Sequence, residues 1–306
     1  MTRYATVDVG SNSVLIHVAE RQPDGAWRVV ADRAELTALG EGLRATGSFS
    51  EPAMERTAAA LVEFVRLARS HGVDQIAAVG TMALRTAANT PEFLARVLAE
   101  AGLTVEVIPG EEEARLSFLA LTSGLERGAG RVAAFDVGGG STEFIFGDRE
   151  RIELRYSLDV GALRLTEEHL RSDPVTPDEL DALERALAGE LSGIRTLPFD
   201  TLVGMGGAIT NMTAVMHGLE RYDPDRVQGS VLTRGEMARQ VELYRSLTVA
   251  ERRGIVGLQP KRAPTILAGA AIVSAVMRHL DMDEVTVSDR GIRHGLMADR
   301  FGQHPR

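Results

Sequence analysis

The sequence predicts a duplicated α/β fold of two domains, and three observations carry that expectation. The segment Asp8-Val9-Gly10-Ser11-Asn12-Ser13 returns enlarged as Asp136-Val137-Gly138-Gly139-Gly140-Ser141-Thr142-Glu143. Each copy lies between two short apolar runs. The strand, hairpin and third-strand order that opens the chain restarts at Arg131. An Asp closing a strand, then a Gly/Ser/Thr turn into a second strand, makes a hairpin whose N–H groups and hydroxyls can surround a phosphate. Glycine accepts positive φ there and lets backbone approach a ligand closely. One copy is an ordinary turn; two imply facing phosphate loops with a cleft between them.

Strands are expected at residues 3–9, 13–20 and 27–37, then a helix over 51–71 that Ser50 caps and Gly72 stops. A strand at 75–79, a helix at 91–100, a strand at 105–108 and a helix at 111–125 complete the first domain, 1–126. Residues 127–130 read as a linker. The second domain, 127–306, restarts with strands to about residue 158 and is richer in helix, at 177–191, 209–218, 234–247, 264–280 and 292–301. Strands at 201–203 and 284–287 end in Gly204-Met205-Gly206-Gly207 and Ser288-Asp289. Ligands in open α/β sheets gather at such carboxyl ends. The last helix, within 292–306, is expected by fold analogy to return to the first domain.

Composition bounds the chemistry. The chain has 306 residues, 44% hydrophobic and 25% charged, which suits a globular enzyme. It lacks cysteine, which excludes disulfides, thiolate catalysis and zinc-thiolate sites. No run reaches the roughly 18 apolar residues needed to span a bilayer, and the amino terminus runs straight into a strand, so a cytoplasmic, membrane-free protein is expected. A net charge of -9 argues against nucleic-acid binding. A polyanionic ligand therefore needs local cations, of which Arg85, Arg115, Lys261, Arg262, Arg290 and Arg293 are candidates.

Pro109-Gly110-Glu111-Glu112-Glu113-Ala114-Arg115 opens a helix whose apolar stripe is Ala114, Phe118, Leu121 and Leu125. Acidic residues in a first turn suit the helix dipole, and a carboxylate there could also be a general base for water. Periodicity leaves open which Glu serves. Asp8, Asp136 and Glu143 are hard-oxygen donors suited to Mg²⁺. The seven histidines are scattered without the i, i+4 pairing of a metal-binding helix.

Five motifs then appear in order: Asp8 to Ser13, Gly80-Thr81-Met82-Ala83-Leu84-Arg85, Gly110 to Arg115, Asp136 to Glu143, and Ser288-Asp289-Arg290-Gly291-Ile292-Arg293. In that order they resemble the exopolyphosphatase and guanosine pentaphosphate phosphohydrolase (Ppx/GppA) family. The resemblance implies the two-domain actin-like, ribonuclease-H-like fold shared with sugar kinases and chaperone ATPases, with its active site in the interdomain cleft. It assigns Glu113 as catalytic base with Glu112 as acidic neighbour, and Arg85 as phosphate clamp. Asp136 and Glu143, with Asp8, become contacts of Mg²⁺, or of Mn²⁺ in its place. Ser11, Asn12, Ser13, Gly138, Gly139, Gly140 and Ser141 become the phosphate cradle.

The implied reaction is release of terminal orthophosphate from inorganic polyphosphate by a homodimer, without a phosphoenzyme. Guanosine pentaphosphate is the alternative substrate; an ATP-dependent kinase or ATPase and a non-catalytic alarmone sensor are the other classes. Ala208 stands where many members have Ser, and Pro264 where Asp is frequent. The chain ends at Arg306, without the helical extension of longer members, and by that analogy a preference for shorter polyphosphate is expected.

Overall fold

The computed structural model describes residues 2–122, 130–148 and 151–302. The chain divides into two compact units, one made of Met1–Ser123 with Gly291–Arg306 and the other of Gly124–Arg290.

The first unit opens with β1 (Arg3–Val9), β2 (Ser13–Arg21) and β3 (Trp27–Leu36). The short α1 (Leu43–Thr46) leads to α2 (Glu51–Ser70). The Ser50 side chain accepts the Ala53 N–H, Pro52 occupies the first turn, and Gly72 at φ +65° turns the chain away. Met54, Leu61, Phe64 and Val65 are the buried stripe of α2. Next come β4 (Gln75–Gly80), α3 (Met82–Thr86), α4 (Thr90–Ala101), β5 (Glu106–Val107) and α5 (Gly110–Thr122). The sheet order is β3-β2-β1-β4-β5, antiparallel across the first three strands and parallel from β1 through β4 to β5. The strand expected at 105–108 shortens to two residues, because Pro109 has no N–H to extend the ladder.

The second unit contains β6 (Val132–Val137), β7 (Thr142–Gly147), β8 (Ile152–Leu158), α6 (Ala162–His169), α7 (Pro177–Leu191) and β9 (Thr201–Met205). They are followed by α8 (Gly207–Met216), α9 (Pro224–Val227), β10 (Val231–Thr233), α10 (Arg234–Ser246), α11 (Val249–Arg252), α12 (Ile266–His279) and β11 (Glu284–Val287). The sheet order is β10-β11-β9-β6-β7-β8. Strands β6, β7 and β8 are an antiparallel meander and β6, β9 and β11 run parallel. The duplication read in the sequence is thus present as topology: a meander of three strands extended by parallel strands, twice. All residues of β6 and β7 are buried, and α12 is buried along nearly its whole length, as the centre of this unit's core. Among the described residues no helix is long and apolar enough to cross a membrane. Leu125 and residues 127–129 of the expected linker lie outside the described residues.

The last helix, α13 (Ile292–Phe301), belongs to the first unit. Ile292 and Leu296 join Val79, Ile108 and Leu116 in a small buried cluster. Phe301 stacks on Tyr4 with ring centroids 4.3 Å apart, and its carbonyl accepts the Arg21 guanidinium. Gly295 permits the close approach: a Cβ there would lie 1.8 Å from the Leu116 carbonyl oxygen of α5. Because the obstacle is backbone, Gly295→Ala is expected to destabilise the protein by about 1–3 kcal/mol, checked by denaturant unfolding.

Candidate active site

The two glycine hairpins have the same local geometry. Gly10 N–H donates to the Ser13 carbonyl at 2.9 Å, and Gly138 N–H donates to the Ser141 carbonyl at 2.9 Å. In both, a Cβ on the glycine would stand 3.0 Å from that carbonyl oxygen. Asp8 and Asp136 each sit two residues before the glycine. The cross-strand partners differ: Asp8 faces Leu15, whereas Asp136 faces Glu143.

In the first hairpin the Ser11 carbonyl accepts the Gly40 N–H, and the Asn12 carbonyl accepts those of Thr37 and Ala38. Outward-pointing carbonyls are therefore engaged by the 37–40 segment. Ser11 and Ser13 are buried and Asn12 is half-buried. In the second hairpin the first turn of α6 does the same work. Ala162 N–H donates to the Gly138 carbonyl, and Leu163 and Arg164 donate to that of Gly139. A Cβ at Gly161 would lie 2.3 Å from the Gly140 carbonyl carbon, so only glycine lets α6 abut the loop. Sequence reading did not find α6; its signal was the Val160-Gly161-Ala162 step after β8.

Asp136 and Glu143 are both buried, at 9% and 2% exposure, and sit directly opposite each other. Ser157 donates to Glu143 Oε1 at 2.8 Å. Opposed carboxylates repel, and a pair of hard oxygens beside a glycine turn fits a small divalent cation such as Mg²⁺. Gly206, at φ +95°, closes over Asp136: a Cβ there would be 2.7 Å from Asp136 Oδ1 and 2.6 Å from the Val137 carbonyl. Next to it the Arg262 guanidinium lies across Gly207, where a Cβ would be 2.1–2.4 Å from Nη2, Cζ and Nη1. Burial pushes this guanidinium down to about 10, and its buried Nε has no hydrogen-bond partner among the described residues. Ala208 packs against Gly269 of α12, where a Cβ would stand 2.7 Å from its own.

The structure separates the adjacent acids of α5. Glu112 is clamped by Arg115, whose Nε and Nη2 donate to its two oxygens at 2.8 and 2.7 Å while Nη2 also reaches Asp299 at 2.7 Å. Glu113 is 5% exposed and receives Arg85 Nη1 at 2.8 Å; the same nitrogen donates to the Ile108 carbonyl at 2.8 Å. Arg115 is thereby committed to carboxylates. Arg293 is too: its Nε meets both oxygens of Asp32, at 3.0 and 3.3 Å. Arg290 N–H is held by the Ser288 hydroxyl, and Lys261 is exposed.

One cluster escaped the sequence because its members come from three elements. His17 of β2, Asp32 of β3 and His294 of α13 place potential ligand atoms within 4.8 Å of one another. The hydrogen bonds argue for a carboxylate node. Gly291 N–H donates to His294 Nδ1 at 3.2 Å, which leaves the ring proton on Nε2, facing Asp32 at 3.6 Å. His17 Nδ1 lies 3.0 Å from Asp32, and Arg293 already supplies the cation. Burial raises the Asp32 carboxyl, but Arg293 and His17 outweigh it and hold the group well below the usual range. Burial, then Arg293, pushes His294 down to about 3.

Comparison with known proteins gives the family of the chain. Residues 18–304 match the Ppx/GppA phosphatase family. Exopolyphosphatase 2 of Mycobacterium tuberculosis is 32% identical over 318 residues, spanning 99% of each chain. A guanosine-5'-triphosphate,3'-diphosphate pyrophosphatase of Photobacterium profundum is 30% identical over 98% of this chain and 59% of its own. The crystal structure of the Aquifex aeolicus Ppx/GppA family member is similar with TM-score 0.82 and 36% identity, covering 98% of this chain and 97% of that one. With hairpins, helix-start acids and whole-chain similarity in agreement, the chain belongs to the Ppx/GppA phosphatase family of phosphoanhydride hydrolases.

Proposed function

We propose that this protein is an exopolyphosphatase that releases terminal orthophosphate from inorganic polyphosphate. The observation that carries the reading is Glu113, a buried carboxylate in the first turn of α5 held by Arg85 while its neighbour Glu112 is occupied by Arg115. Water attacks the terminal phosphorus as Glu113 takes its proton. The bond to the bridging oxygen breaks, and the shortened chain leaves with that oxygen.

Asp136 and Glu143 would hold a divalent cation, Mg²⁺ or Mn²⁺, which supplies charge neutralisation at phosphate oxygens. Asp8 occupies the matching strand position in the first unit and keeps its proposed role as a metal-facing carboxylate. The hairpin N–H groups and hydroxyls at Ser11, Asn12, Ser13 and Gly138 to Ser141 orient the chain, and Arg262 adds a cation at the start of α8. Near-complete mutual coverage with an exopolyphosphatase supports polyphosphate over guanosine pentaphosphate, whose hydrolase aligns over only 59% of its length.

The test is orthophosphate release, with Mg²⁺, from short polyphosphate, long polyphosphate, guanosine pentaphosphate and ATP in parallel. Release from polyphosphate with the highest kcat/KM is expected. Faster turnover of the pentaphosphate would exchange the substrate assignment, and tight binding without release from any of them would support a sensor.

A further inference from the structure

The ion pair on α5 uses only part of the Arg85 side chain. Both of its contacts, to Glu113 and to the Ile108 carbonyl, are made by Nη1. Its Nε and Nη2 have no hydrogen-bond partner among the described residues, and the side chain is 24% exposed. That edge is the one through which Arg115 grips both oxygens of Glu112, so the bidentate mode is already displayed at the residue next to Glu113. A guanidinium is rigid and planar, and its donor directions cannot be adjusted independently.

We propose that Arg85 works on two sides at once, fixing Glu113 through Nη1 and taking two oxygens of the departing phosphate through its Nε–Nη2 edge. A single rigid group then sets the offset between base and phosphorus, which catalysis of water attack requires to within a fraction of an ångström. The Ile108 carbonyl is the anchor that keeps the plane from turning. This rests on the hydrolase reading above, and it assigns Arg85 more than phosphate affinity: it is the positioning residue for the base.

A double-mutant cycle tests it. Orthophosphate release from polyphosphate is measured for wild type, Arg85→Ala, Glu113→Gln and the double variant, with kcat and KM resolved separately. Arg85→Ala is expected to raise KM and to lower kcat roughly 100-fold in the wild-type background, yet to change kcat less than about 3-fold once Glu113 is replaced. The KM effect persists in both backgrounds. Arg85→Lys, which keeps the charge and the fold but lacks the planar fork, is expected to restore KM and leave kcat low. Equal kcat losses in both backgrounds, or full recovery of kcat by lysine, would overturn the proposal. Undiminished kcat in Glu113→Gln alone would instead remove the base assignment on which it stands.

Discussion

Replacing Glu113 by alanine is expected to lower kcat for orthophosphate release by about 10²–10⁴-fold, the range that a positioned general base contributes. KM is expected to change far less. The carboxylate is buried at 5% exposure, lies in a first turn where the helix dipole favours its charge, and is fixed by Arg85 at 2.8 Å. Glu112→Ala is the informative comparison. Its two oxygens are gripped by Arg115, which also binds Asp299 of α13, so its loss acts through the seating of α5 and costs a smaller factor in kcat. Steady-state kinetics on both variants decides: similar losses would refute the separation of roles that the geometry draws.

The second large effect is a loss of stability in mild acid. His294 is neutral in the fold, held down to about 3 by burial and by Arg293, against 6.5 when unperturbed. The unfolded chain therefore binds a proton that the folded chain refuses at any pH between those values. Stability from this group is complete above pH 6.5, declines as pH falls, and is gone below about 3. The decline amounts to about 1.4 kcal/mol per pH unit in the middle of that window. Protonation also puts a hydrogen on Nδ1, where Gly291 N–H now donates, and so removes the bond at the start of α13. Between pH 6.5 and 4.5, before most carboxylates titrate, urea unfolding of the wild type is expected to lose about 2–3 kcal/mol. His294→Asn offers an oxygen near the Nδ1 place without a proton to gain, and it is expected to flatten that slope. An unchanged slope in the variant would exclude His294 as its source.

Much of this was legible in the chain because it was written in local, repeated terms. The hairpins at Asp8 and Asp136 carry their own turn chemistry, Ser50 and Gly72 delimit α2 by capping alone, and the restart at Arg131 predicts the second meander. Helices α1, α3, α6, α9 and α11 were not legible: they are short, and tertiary contacts such as Gly161 against Gly140 define them more than periodicity does. Within the site, spacing could not separate Glu112 from Glu113, which the family motif decided. The partner of Glu113, Arg85, comes from 28 residues away, whereas Arg115 lies three residues beyond Glu112 and is itself held by Asp299, 184 residues further on. The same holds for His17, Asp32 and His294, which pattern reading left as scattered side chains until strand register and α13 brought them together.

The first unit is assembled from both ends of the chain, with residues 124–290 inserted between its parts. During synthesis the segment bearing Glu113 leaves the ribosome long before α13, the helix whose Leu296 and Gly295 rest on Leu116. Domains generally fold as units while the chain emerges, but this one stays unfinished until α13 has been made. A nascent chain stalled anywhere within the insert thus carries its proposed base on a helix that still lacks Leu296 and Gly295 against Leu116.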